Sequence, residues 1–123
     1  MGYAKNIMGA GIPAAAAAAD TVSSVATGLT AAGTTQGTAL SITADVNFVG
    51  TVAASSGVQL YNGVIGDSVF VMNDGGANPL TVYPPTGGKF NNLATNSGFT
   101  LNVNTPVWCI KVTATRWFAL LSA

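Results

Sequence analysis

The sequence has no histidine and no glutamate, and it has only one cysteine among its 123 residues. General acid–base catalysis most often uses histidine or a pair of carboxylates, and the Ser-His-Asp and Cys-His arrangements both require histidine. Zinc sites need a cluster of histidine or cysteine ligands, and one cysteine cannot form a disulfide within the chain. The sequence therefore predicts a protein that is not an enzyme and that holds no cofactor and no metal.

Charge is also scarce. Four basic and four acidic residues make up 7% of the chain and leave a formal net charge of zero, whereas a typical soluble domain is about 25% charged. Four scattered cations cannot neutralise a phosphate backbone, which argues against nucleic acid as a partner. No apolar run is long enough for a membrane-spanning helix. A surface with so few charges is either covered by Thr, Ser, Asn and Gly or buried against other chains. We expect both, and the second predicts a homo-oligomer.

The first 20 residues differ in composition from the rest. They are rich in glycine and alanine, and residues 14–19 are all alanine after Pro13. Proline fits the first turn of a helix and alanine favours helix, but small side chains also suit an extended segment. We predict an extended or short helical arm over residues 1–20, followed by a single β-domain over residues 21–123. The arm either docks on a partner chain or folds back on its own domain, and the candidate contact residues are Tyr3, Lys5, Ile7, Met8, Ile12 and Pro13.

The β-domain is predicted from alternating apolar and polar residues. Residues 40–48 alternate with period two, which is typical of a strand with one buried face. Residues 67–73 are apolar on both faces, and such a strand is usually covered on both sides. Residues 80–83 are expected to return as its partner after a glycine-rich turn. Further strands are expected within 99–103, 108–113 and 117–121. Turn signals every 8–12 residues predict an all-β fold, a small antiparallel β-sandwich or barrel.

One loop has the composition of a weak calcium site. Asn73, Asp74 and Asn78 could offer oxygen ligands, but calcium takes six to eight oxygens and usually several carboxylates. With one carboxylate present, a turn is the preferred interpretation.

The aromatic residues allow two interpretations. Tyr61, Tyr83, Trp108 and Trp117 could form a platform for a sugar, but aromatic residues at alternating strand positions more often belong to a core or an interface. Cys109 lies in an apolar strand and is expected to be a small buried residue. The candidates for the core or an oligomer interface are Val69, Phe70, Val71, Met72, Tyr83, Trp108 and Trp117.

Short phrases of the sequence support a resemblance. They are LTAAGTTQ (29–36), GDSVFVMN (66–73), NPLTVYPPTGG (78–88), NNL (91–93) and VTATRWFAL (112–120). Residues 28–123 resemble the small β-domains of tailed-bacteriophage virion proteins, in particular head decoration (cement) proteins and some fibre modules. The resemblance implies no catalytic residues. It implies a homotrimer that binds the major capsid protein on the exterior of the virion.

Two functions follow as expectations. The first is a structural virion protein that decorates and stabilises a phage capsid, with the arm as its anchor. The alternative is a phage fibre or receptor-binding module that binds a surface glycan through exposed aromatic and polar groups. An anchor on the capsid would favour the first, and an exposed groove with such groups would favour the second.

Overall fold

The computed structural model describes residues 24–121. This part of the chain has ten strands and one short 3-10 helix (Gln36–Thr38). The strands are β1 (Val25–Thr30), β2 (Leu40–Ser41), β3 (Val46–Thr51), β4 (Gly57–Gln59), β5 (Ser68–Asn73), β6 (Leu80–Tyr83), β7 (Lys89–Phe90), β8 (Phe99–Leu101), β9 (Pro106–Lys111) and β10 (Arg116–Leu121).

The strands form two sheets, and the chain passes from one to the other after almost every strand. The larger sheet has the order β1-β3-β5-β9-β10-β7, and the smaller has the order β2-β4-β6-β8. The series β1-β3-β5 and β2-β4-β6 are both parallel. Strand β9 then pairs antiparallel with both β5 and β10. The chain thus winds as a short solenoid that ends in an antiparallel hairpin.

The all-β class is confirmed, but the predicted antiparallel sandwich or barrel is wrong because most strand pairings are parallel. Residues 80–83 do form a strand, but β6 lies in the smaller sheet between β4 and β8 rather than beside β5. Period-two alternation identifies the buried face of a strand and carries no information about which strand lies next to it.

The single strand predicted over residues 40–48 is also wrong. It divides into β2 and β3, which belong to different sheets. Ile42 and Ala44 lie in the corner between them and are both buried. Val46 and Phe48 continue the same sequence alternation but point away from the core, and Asn47 between them is buried, so the corner changes which set of residues lies inside.

The core fills the space between the two sheets. Every second residue of the central strands points inward, as the alternating burial of β5 and β6 shows. Fully buried valines and leucines come from both sheets, and Phe90 packs edge-on against Phe99 with ring centroids 4.8 Å apart. The fully buried large side chains are Val49, Val58, Val69, Val71, Leu80, Val82, Phe90, Leu101, Val107 and Trp117.

Buried asparagines satisfy the backbone where strands end. The Asn73 side chain donates to the carbonyl oxygens of Asn78 and Leu101, both at 3.0 Å, and accepts from the Gly75 amide at 3.2 Å. The Asn47 amide donates to the Ala44 carbonyl at 2.8 Å. Backbone N–H and C=O groups that no longer pair with a neighbouring strand need such partners, because an unpaired buried polar group lowers the stability of the fold.

The arm over residues 1–20 lies outside the described residues, as do its candidate contacts from Tyr3 to Pro13. Within residues 24–121, no helix is long and apolar enough to cross a membrane.

The two tryptophans should respond differently to truncation. Trp117 is fully buried, whereas Trp108 is 51% exposed. We expect Trp117→Ala to lower the free energy of unfolding by about 3–5 kcal/mol, and Trp108→Ala to lower it by only about 1 kcal/mol. Urea unfolding followed by circular dichroism, at a concentration where any oligomer is dissociated, measures both. Equal losses for the two variants would contradict the assignment of Trp117 to the core.

Candidate interaction surface

The six-stranded sheet has one face against the core and one face directed away from it. The outward positions of its central strands are mostly apolar and lie side by side, with Ser68 and Arg116 as polar members of the same face. One row of residues runs in register across five strands and consists of Val25, Val46, Phe70, Trp108 and Leu120. The row on one side contains Phe48, Met72 and Pro106, and the row on the other side contains Ser68, Ile110 and Phe118. We call these outward positions the outer apolar face.

Large side chains of the outer apolar face are open to solvent. Trp108 is 51% exposed, Leu120 45% and Phe118 40%. Phe48 and Phe70 lie against each other, with ring centroids 6.1 Å apart. Isolated apolar residues are normal on a surface, but a contiguous apolar patch marks an interaction site. The four strands β3, β5, β9 and β10 give this patch a size of roughly 19 by 20 Å from standard strand spacing and rise.

Charged residues border the outer apolar face at one end of the sheet. Strands β3, β5, β10 and β7 all run in the same direction, because β9 is antiparallel to both of its neighbours and β7 is parallel to β10. Asp45 and Asp67 directly precede β3 and β5, while Lys89 and Arg116 are the paired first residues of β7 and β10. Asp45 and Asp67 share the alternation of the buried residues Asn47 and Val69 and therefore lie on the core side, whereas Arg116 has the outward alternation of Phe118.

The structure separates the residues predicted for the core or an interface. Val69, Val71 and Trp117 belong to the core, whereas Phe70, Met72 and Trp108 lie on the outer apolar face. The Tyr83 hydroxyl donates to the Thr34 carbonyl oxygen at 3.2 Å on the smaller sheet. Sequence reasoning missed Val25, Phe48, Ile110, Phe118 and Leu120. The signal for the last three was the hairpin 106–121, where both faces of each strand carry large apolar residues.

The aromatic platform suggested for a sugar does not form. Tyr61 packs edge-on against Trp117 at a centroid distance of 6.4 Å, but Trp117 is fully buried and Trp108 lies on the opposite side of the sheet. The cavity beside Trp117, which Asn62, Thr86 and Thr115 help to line, has a volume of about 180 Å³. Typical small-molecule sites have about 300–1,000 Å³.

The titratable groups near this cavity have structural partners. Lys111 is 6% exposed, and its Nζ donates to the Gly63 carbonyl at 2.6 Å and to Asn62 Oδ1 at 3.3 Å. Burial raises the pKa of the Tyr61 hydroxyl, and the negative charges of Asp67 and Asp45 raise it further. A raised pKa keeps this hydroxyl protonated at neutral pH.

The candidate calcium ligands are engaged in a turn. The Asn73 side chain donates to the Asn78 carbonyl oxygen and accepts from the Gly75 amide, both within the loop. The Asn78 side-chain amide donates to the Val52 carbonyl oxygen at 3.0 Å. Among residues 24–121, no group of three or more histidine, cysteine, aspartate or glutamate side chains could hold a metal ion.

Comparison with known proteins adds no relative. No protein-family model matches the chain, and no curated protein matches it in sequence. The fold and the outer apolar face are therefore the structural features that bear on a function.

The thiol of Cys109 should be unreactive in the folded protein. It is fully buried, and burial raises its pKa from 9.0 to about 12, while the thiolate is the reactive form. We expect iodoacetamide at about pH 8 to label Cys109 only after urea unfolding, as measured by mass spectrometry. Because the folded state keeps a proton that the unfolded chain releases above its ordinary pKa, stability should also fall at alkaline pH. Rapid labelling without denaturant would contradict the buried position.

Proposed function

We propose that this protein is a structural virion protein that decorates and stabilises a phage capsid as a homotrimer bound to the major capsid protein on the capsid exterior. The observation that carries the proposal is the outer apolar face. Its outward side chains include Phe70, Trp108 and Phe118, and leaving so much apolar surface in water is unfavourable. A protein with an exposed apolar sheet face is suited to permanent assembly.

The chemistry of the described residues supports an assembly role over a catalytic one. Cys109 is buried without a nearby histidine, and Lys111 is bound by neutral oxygens. The setting on a capsid comes from the resemblance of residues 28–123 to phage decoration proteins. The glycan-binding alternative has less support, because the aromatic residues are divided between the core and the outer apolar face and the cavity beside Trp117 is small.

The direct test of this function is the copy number on purified virions of the phage that encodes the chain. A decoration protein should be present in a fixed, high ratio to the major capsid protein, as measured by quantitative mass spectrometry. A fibre module should be present in a few copies at the tail, and this result would replace the proposal with the alternative.

The arm supplies a second test. Residues 1–20 contain no aromatic residue except Tyr3, so we expect them to contribute little to a core. Deletion of residues 1–19 should leave the β-domain folded and oligomeric but release it from capsids, as measured by co-sedimentation with shells. A second variant replaces Tyr3, Ile7 and Ile12 with alanine and keeps the chain length, so that it separates the effect of these side chains from the effect of a shorter chain. Unchanged occupancy of the truncated protein would show that the arm is not the anchor.

A further inference from the structure

We propose that the side chains of Lys111 and Asn62 condense to form an isopeptide (amide) bond within the chain. The inference goes beyond the proposed function, because it concerns the covalent structure of one chain and needs neither a capsid nor a second copy. It begins from one contact. The Nζ atom of Lys111 lies 3.3 Å from Oδ1 of Asn62, which places an amine beside a side-chain amide.

Lys111 occupies a buried position that suits an ammonium group poorly. It pairs across the sheet with the fully buried Trp117. The hydrogen bonds of Nζ go to neutral oxygens, at 2.6 Å to the Gly63 carbonyl and at 3.3 Å to Asn62 Oδ1. Lysines are rarely buried without a charged partner, because the charge loses its hydration. Conversion to an amide would remove the charge and keep an N–H that can donate to the Gly63 carbonyl oxygen.

The loop between β4 and β5 is attached to the backbone of Lys111. The Gly66 amide donates to the Lys111 carbonyl oxygen at 2.8 Å, and the Lys111 amide donates to the Asp67 carbonyl oxygen at 2.9 Å. The Asp67 carboxylate accepts from the Val64 amide at 3.0 Å, in the same peptide group whose carbonyl oxygen binds Nζ. These contacts hold Nζ beside the Asn62 amide, and well-oriented groups reach effective concentrations of about 10⁵–10⁸ M.

The reaction exchanges one amide for another. The ammonium group of Lys111 first releases a proton to solvent, and the lone pair of the neutral Nζ forms a bond to Cγ of Asn62. The bond between Cγ and Nδ2 breaks, and Nδ2 leaves as ammonia with one proton taken from Nζ. No atom changes its oxidation state, and no co-reactant is needed. Asn62 is exposed, so the ammonia leaves directly into water.

A competing reaction at Asn62 gives a product of the same mass. An asparagine that precedes a glycine can lose ammonia by closing a succinimide ring on the next backbone nitrogen. In the structure that nitrogen belongs to Gly63, and its N–H donates to the Tyr61 carbonyl oxygen at 3.1 Å. A Cβ atom at position 63 would collide with the Asp67 carboxylate and the Tyr61 ring, so packing accounts for this glycine. The experiment must nevertheless distinguish the two products.

The bond would join the loop before β5 to the end of β9. Asn62 and Lys111 are 49 positions apart in the sequence, and strands β5 to β8 lie between them. A covalent link across such a span restricts the unfolded chain and so stabilises the folded one. Unlike a disulfide, an amide is not opened by reducing agents.

Mass spectrometry of the purified full-length protein tests the inference. After incubation at about pH 9, where more lysine is neutral than at neutral pH, the intact mass should be lower than that of the unmodified chain by one ammonia molecule. Trypsin should then fail to cut after Lys111 and should release residues 6–89 joined to residues 90–116 as one branched peptide. An unmodified mass after this incubation would overturn the inference.

Two matched variants separate the isopeptide from the succinimide. Lys111→Met removes the nucleophile and keeps a side chain of similar length, so this variant should keep its full mass. The control is Lys89→Met, at the first residue of β7, which should lose one ammonia as the unchanged protein does. Circular dichroism checks that both variants fold. Loss of ammonia from a folded Lys111→Met variant would assign the product to a succinimide at Asn62 and overturn the inference. If Lys111→Met does not fold, the presence or absence of the branched peptide in the unchanged protein decides.

Discussion

The packing of inward side chains between the two sheets is the interaction on which the rest of the structure depends. Val69 and Val71 of β5 and Leu80 and Val82 of β6 are all fully buried in one core. Close-packed interiors of this kind fix the positions of the strands that line them. Since side chains alternate along a strand, holding one set inside places the next set outside, and in β5, β9 and β10 that outer set is largely apolar as well. The same constraint that builds the core therefore builds the outer apolar face.

The solenoid winding explains where polar side chains are needed. A chain that changes sheet after each strand leaves its backbone ladder at every corner, and the freed groups must find new partners. Asn47 and Asn73 supply them from buried positions at the start of β3 and the end of β5. Asn91 does the same beside β10, where its side chain accepts from the Ala119 amide at 2.9 Å. These asparagines belong to the fold, which is why an interpretation of the loop after β5 as a metal site is unnecessary.

The two faces of the larger sheet also account for the composition of the chain. A monomer with few charges and an exposed apolar sheet face would associate without specificity unless that face had a defined partner. Asp45, Asp67, Lys89 and Arg116 lie at one end of this sheet, and Lys111 is buried at the end of β9. The scarcity of charge and the exposed apolar face both agree with the proposed place of the protein in a larger particle.

Local patterns in the sequence were sufficient for the all-β class, for the strand positions in 67–73, 80–83 and 99–121, and for the burial of Cys109. They also made Phe70, Met72 and Trp108 candidates for a core or an interface. Only the tertiary structure decided which of the candidates are buried and which are exposed, that residues 40–48 turn a corner, and that the strands pair mainly in parallel. The physical reason is that alternation depends on one strand and its own two faces, whereas sheet order and exposure depend on contacts between residues far apart in the chain.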